Sequence, residues 1–165
     1  MGVIATRAGA QEPAAIELIT HNQIEIARPA EAIWPLILDP GSWKQGARLE
    51  RRGGPAGAVG ETFAALGPGG EPAFFVENVE LVAARRRTIK LTQPDGRLIG
   101  FATWWLVPTP TGSLVGYDVY SASPLPPGSR LAREEIARQR AEAETANHQR
   151  FAAELATLKR LVESR

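Results

Sequence analysis

Residues 16 to 43, Ile16-Glu-Leu-Ile-Thr-His-Asn-Gln-Ile-Glu-Ile-Ala-Arg-Pro-Ala-Glu-Ala-Ile-Trp-Pro-Leu-Ile-Leu-Asp-Pro-Gly-Ser-Trp43, change their period part-way, and that change decides the fold. Up to Ala27 the period is two. Ile16, Leu18, Thr20, Asn22, Ile24 and Ile26 share one face, while Glu17, Ile19, His21, Gln23 and Glu25 take the other, as in a long β-strand. Pro29 then fixes a φ suited to the first turn of a helix, and Ile33, Trp34, Ile37 and Leu38 fall on one helical stripe. Pro35 keeps this helix short or splits it. Asp39-Pro-Gly-Ser-Trp43 reads as a turn and a brief second helix that packs Trp43 inward.

Beyond Lys44 the texture becomes short strands broken by glycine and proline. Strands are predicted over Ala47 to Arg52, Gly60 to Leu66, Ala73 to Val82, Arg86 to Thr92, Leu98 to Val107 and Ser113 to Ser121. Between them lie Gly53-Gly-Pro, Gly67-Pro-Gly-Gly, Pro94-Asp-Gly and Pro108-Thr-Pro-Thr-Gly, which suit successive hairpins. Connections this short favour antiparallel neighbours, since a parallel crossover needs a dozen or more residues. After Pro124-Leu-Pro-Pro-Gly, the segment from Ser129 to about Glu163 has no Gly or Pro and is rich in Ala, Glu, Arg and Leu, which predicts one long helix. Its second half carries the stripe Phe151, Leu155, Leu158 and Val162, with Ala152 and Leu161 beside it, so this half should pack on the sheet. Continued backwards, the same stripe meets Asn147 or His148, Glu144, Arg140 or Ala141, and Ala137. That polar, small-residue half should cover a cavity mouth, project into solvent, or reach a second subunit in a homodimer.

The fold class is therefore α+β, a seven-stranded curved antiparallel sheet around a long C-terminal helix with two short helices after the first strand. Residues 1–15 are expected to be loosely ordered, and 16–165 to form one domain. The order of elements resembles the helix-grip fold of the START-like (SRPBCC) superfamily, which includes polyketide cyclase/dehydrase-like and lipid-transport proteins. The resemblance rests on Ile24 to Trp43 as first strand, helix pair and tryptophan, and on Val59-Gly60 as the glycine before the third strand. It rests further on Trp104-Trp-Leu-Val-Pro-Thr-Pro-Thr-Gly-Ser-Leu-Val as penultimate hairpin and Asn147-His-Gln-Arg-Phe-Ala-Ala-Glu-Leu-Ala-Thr-Leu-Lys as closing helix. It covers roughly residues 16 to 163 and implies an incompletely filled chamber between sheet and helix.

If Val79, Ile89, Leu91, Leu106 and Val115 face inward, alternation brings Phe75, Glu77, Leu81, Ala102, Trp104, Tyr117, Val119 and Ser121 to the same concave face. With Phe63, Asn147 and Phe151, the residues Phe75, Glu77, Trp104, Tyr117 and Val119 then make the candidate ligand-binding set. Glu77 and Tyr117 are the candidate catalytic groups. A carboxylate in an apolar chamber has a raised pKa and suits acid or base work, and a phenol can orient a ligand. Against this, Glu77 reads equally as a solvent-facing strand residue or the partner of an arginine on the next strand, because one step of register turns it outward.

Other chemistries find little support. The chain of 165 residues carries 19 Lys+Arg and 18 Asp+Glu, so a net charge of +1 offers no general attraction to nucleic acid. No stretch approaches the ~20 apolar residues of a membrane span and no secretory leader is evident, so a cytoplasmic protein is expected. With no cysteine there is no disulfide or thiolate metal site, and His21 and His148 lack partners at metal-ligand spacing, so neither metal nor cofactor is expected. No serine stands in a nucleophile elbow. Gly53-Gly-Pro-Ala-Gly-Ala-Val-Gly lacks a lysine and a following long helix, so it reads as a hairpin loop. Arg85-Arg-Arg and Arg51-Arg52 read as solvated turn charges, and Glu134 with Arg138 as a surface pair. Three functions remain: binding of a hydrophobic small molecule (lipid, aromatic or polyketide-like), a cyclase or dehydratase-like enzyme, or a protein-interaction module of the same fold.

Overall fold

The computed structural model describes residues 15–44, 48–125 and 132–165. The elements run β1 (Ala15–Ile26), α1 (Ala30–Leu38), a single 3-10 turn (Pro40–Ser42), β2 (Arg48–Gly53), β3 (Thr62–Leu66), β4 (Pro72–Val82), β5 (Arg86–Thr92), β6 (Leu98–Thr109), β7 (Gly112–Pro124) and α2 (Arg133–Glu163). All seven strands form one antiparallel sheet of order β1-β7-β6-β5-β4-β3-β2, and α2 lies against it along β1. This is the helix-grip arrangement that the sequence implies. The expected N-terminal segment, the strand start at Ala47 and the helix start at Ser129 lie outside the described residues, save for Ala15, which opens β1.

Apolar periodicity explains where the core sits. Phe151, Leu155, Leu158 and Val162 are the buried residues of α2, the stripe expected at i, i+4, i+7 and i+11. They close on Ile26, Val115 and Leu106 from the sheet and on Ile33, Leu36 and Ile37 from α1. Pro35 lies inside α1 without splitting it, and the helix ends one turn later, at Leu38. Trp43 is buried, and its indole Nε1 donates to Leu36 O at 2.7 Å, pinning the 3-10 turn to α1.

Arg87 departs from the expectation of solvated charge. Arg85 and Arg86 are exposed, but Arg87 lies on the inner face of β5 opposite Trp104 and is only 2% exposed. Its Nε donates to Asn78 Oδ1 at 2.9 Å, and its Nη1 donates to the carbonyls of Ile37 and of Leu38, the latter at 3.1 Å. Burial lowers its pKa, and the more distant Glu61 opposes that shift. One buried guanidinium thus satisfies the C-terminal carbonyls of α1 and ties the helix to the sheet. Arg138, in turn, meets Glu135 and Glu142 rather than Glu134.

Candidate functional site: the aromatic column under the long helix

Strand pairing settles which residues share the concave face. Ala102, Trp104 and Leu106 on β6 stand opposite Val119, Tyr117 and Val115 on β7, and these in turn oppose Thr20, Asn22 and Ile24 on β1. On the other side Ile89 and Leu91 of β5 continue the face to Asn78 and Val76 of β4, and Val76 opposes Phe63 of β3. Of the expected set, Trp104, Tyr117, Val119, Phe63 and Phe151 do converge on this side.

Phe75 and Glu77 do not. The β4–β5 ladder shifts by one residue between Asn78 and Glu80, and this bulge reverses the alternation on its N-terminal side. Phe74, Val76 and Asn78 consequently face inward with Leu81. Glu77 turns to the outer face, where its carboxylate meets Lys90 Nζ at 3.7 Å with nearly half its side chain exposed. Phe75 shares that outer face, opposite Thr92. The expectation of an acid in the chamber is corrected by one inserted residue.

Four rings make a column across the concave face. Trp104 stacks on Tyr117 with centroids 3.9 Å apart and planes 19° from parallel. Trp43 meets Trp104 edge-on at 6.0 Å, and Phe151 meets Tyr117 edge-on at 5.1 Å. These are the offset and T-shaped geometries that the ring quadrupole favours. The column fills the centre of the interior, where the resemblance implied a chamber. Toward α1 the core is closed; toward the other end, Phe63, Phe74 and Leu91 are only partly buried on the concave surface.

Lys44 is the polar group that the sequence did not single out. Its Nζ donates to the Tyr117 hydroxyl at 3.4 Å, pairs with Glu154 at 2.6 Å and lies 4.7 Å from the Tyr117 centroid and 5.2 Å from that of Trp104. Ammonium over ring face and carboxylate together compensate its desolvation. Burial pushes the Tyr117 phenol above its ordinary pKa, with Lys44 pulling the other way. The hydroxyl therefore stays protonated at neutral pH. Beside it a cleft of about 560 Å³ opens between Trp43 and α2, lined by Lys44, Arg150, Glu154, Thr157 and Leu161 among others. Asn147, one turn before Phe151, is half-buried, and its side-chain oxygen accepts from Arg150 at 3.3 Å.

Among the described residues no group of His, Asp and Glu could hold a metal ion, and His21 is exposed on the outer face, bonded to Asp118 at 3.1 Å. No helix among them is long and apolar enough to cross a membrane.

A model of the family described as polyketide cyclase / dehydrase and lipid transport matches residues 19–163. The chain belongs to that family. No curated protein matches it. Among solved structures, a protein of unknown function from Staphylococcus aureus superimposes with a TM-score of 0.72 at 10% identity, covering 91% of this chain and 96% of the other. Norcoclaurine synthase from Thalictrum flavum, in complex with dopamine and hydroxybenzaldehyde, gives 0.61 at 18% identity, over 100% and 97%. The di-domain ARO/CYC of the steffimycin biosynthetic pathway gives 0.67 at 15%, covering 91% of this chain and 52% of that one. Identities this low establish a shared helix-grip fold, which by itself selects no activity.

Proposed function

We propose that this protein binds a small, largely apolar aromatic molecule on the concave face of its sheet, against the ring column and under the first half of α2. The observation that carries this reading is the column itself, Trp43-Trp104-Tyr117-Phe151, with its single buried hydroxyl held by Lys44. A few convergent polar groups in an apolar surround are what fix orientation in small-molecule sites, and the rims of such a column suit an aromatic ligand. The partly buried Phe63, Phe74 and Leu91 supply further apolar surface on the same face. Family membership supports ligand binding, and the structure of norcoclaurine synthase with two aromatic compounds supports the aromatic class.

The test is direct. Trp43 and Trp104 lie in the column, so titration with 2-acetylnaphthalene is expected to change tryptophan fluorescence saturably, and native mass spectrometry to show one bound equivalent. Trp104→Leu should weaken binding at least tenfold. Binding undiminished in that variant would overturn the placement.

A second reading is supported by the Lys44–Tyr117 contact at 3.4 Å. A neutral phenol backed by an ammonium can give a proton to a ligand oxygen while Lys44 stabilises the phenolate left behind, as cyclase or dehydratase chemistry requires. Tyr117 and Lys44 take the role there that an outward Glu77 cannot. Loss of turnover in Tyr117→Phe with ligand affinity retained is the expected signature; equal turnover would dismiss it.

A further inference from the structure

The cleft of about 560 Å³ between Trp43 and α2 is lined on its helix side by Arg150, Ala153, Glu154, Thr157, Arg160 and Leu161. These positions recur at i, i+3, i+4, i+7, i+10 and i+11, so they form a stripe of their own beside the buried one of Phe151, Leu155, Leu158 and Val162. Ala153 and Thr157, both small, stand mid-stripe and leave the space. An arginine stands toward either end of it.

Most polar groups around the cleft already have partners. Trp43 Nε1 donates to Leu36 O, Ser42 Oγ to Asp39 O at 2.7 Å, and Thr157 Oγ1 to Ala153 O at 3.0 Å. Lys44 is paired with Glu154 and donates to the Tyr117 hydroxyl. Arg150 gives one Nη2 bond to Asn147 Oδ1 at 3.3 Å while its guanidinium lies 4.4 Å from the Phe151 centroid. Arg160 has no side-chain partner, and neither arginine meets a carboxylate among the described residues. Lys44, Arg150 and Arg160 are three cations and Glu154 is one carboxylate, so the lining carries two positive charges in excess. Side chains on a helix lean toward its N-terminus, which brings Arg160 back over Thr157 and into the cleft.

We infer that this cleft binds the dianionic group of a phosphate monoester, with Arg160 as its main grip, Arg150 at the outer rim and Lys44 adding charge from the inner wall. A guanidinium presents paired N–H donors that match phosphate oxygens, and a phosphate monoester brings close to two negative charges at neutral pH, equal to the excess in the lining. A neutral ligand would leave that excess unmatched. The site is separate from the proposed aromatic binding and does not depend on it.

Methyl phosphate is the probe, because it has no ring for the aromatic column to hold. At about pH 8 and low salt, where the ester is a dianion, it is expected to shift the Nε–Hε NMR signals of Arg150 and Arg160 saturably. It should bind about tenfold more tightly than methyl sulfate, which has the same shape and a single charge. Arg160→Gln should weaken methyl phosphate about tenfold and Arg150→Gln about threefold. Both side chains are exposed, so neither variant should melt below wild type without ligand. Equal affinity for the two esters, or the same shifts from sodium chloride at matched ionic strength, would show general attraction of anions and overturn the inference. Undiminished binding in Arg160→Gln overturns it too. Sedimentation with phosphatidylcholine vesicles containing phosphatidic acid identifies the source of the ester: retention that Arg160→Gln abolishes marks a lipid headgroup, and no retention marks a soluble ester.

Discussion

The two ends of the concave face are built from the same sheet and the same helix, yet one is closed and the other is not. Near α1, Ile26, Ile33, Ile37, Leu155 and Leu158 are each at most 1% exposed, and three elements share them. Toward the opposite end, beyond the ring column, Phe63, Phe74 and Leu91 are only partly buried, and the first half of α2 carries Glu, Arg and Gln. The closely packed and the looser parts of the surface thus lie at different ends, and the aromatic column is the boundary between them.

Substitutions should break along that boundary. Leu158→Ala, deep in the closed end, is expected to cost about 3 to 4 kcal/mol in denaturant unfolding, the range for a buried leucine that leaves a cavity. Arg87→Leu should cost about 2 to 3 kcal/mol, since it leaves Asn78 Oδ1 and the last carbonyls of α1 without their donor. Phe74→Ala, on the open side, should cost only about 1 kcal/mol and act chiefly on ligand affinity, read by fluorescence titration. A Phe74→Ala loss as large as that of Leu158→Ala would show that the open end is core after all.

Much of this division was legible in the residues. The stripe Phe151, Leu155, Leu158 and Val162 is a simple helical repeat, and the structure buries all four. Strand limits were legible because glycine and proline mark almost every turn. The β4 face was not, because a bulge leaves no local signature in Phe74-Phe-Val-Glu-Asn-Val-Glu-Leu, where either parity places apolar residues on both sides. Lys44 was missed for another reason. Its role depends on Tyr117 and Glu154, 73 and 110 positions away, and no local period connects them.

Smaller effects sharpen the boundary itself. Burial raises the Tyr117 pKa, so above about pH 10 the folded chain holds a proton that the unfolded chain releases. Stability should be unaffected by this group below that pH and fall as pH rises through it. Tyr117→Phe should flatten that alkaline decline, measured as the difference between the two proteins' unfolding midpoints from pH 8 to 11. At the far end of the scale, Arg138→Ala on the polar half of α2 removes a solvent-exposed pairing with Glu135 and Glu142 and should leave the melting temperature unchanged. A clear drop would mean that the first half of the helix grips as firmly as the second.

The shifted register of β4 also bears on how such a family diversifies. Deleting Val79 would restore strict alternation, and if the turn-proximal part of the strand held its place, Glu77 would swing from the surface to the interior beside the ring column. A loss of one codon would then accomplish what no single substitution can: it would exchange which face of the strand lines the interior and bring an acid with it. In this strand, a single insertion or deletion changes the chemistry of the inner face while the composition of the chain stays almost unchanged.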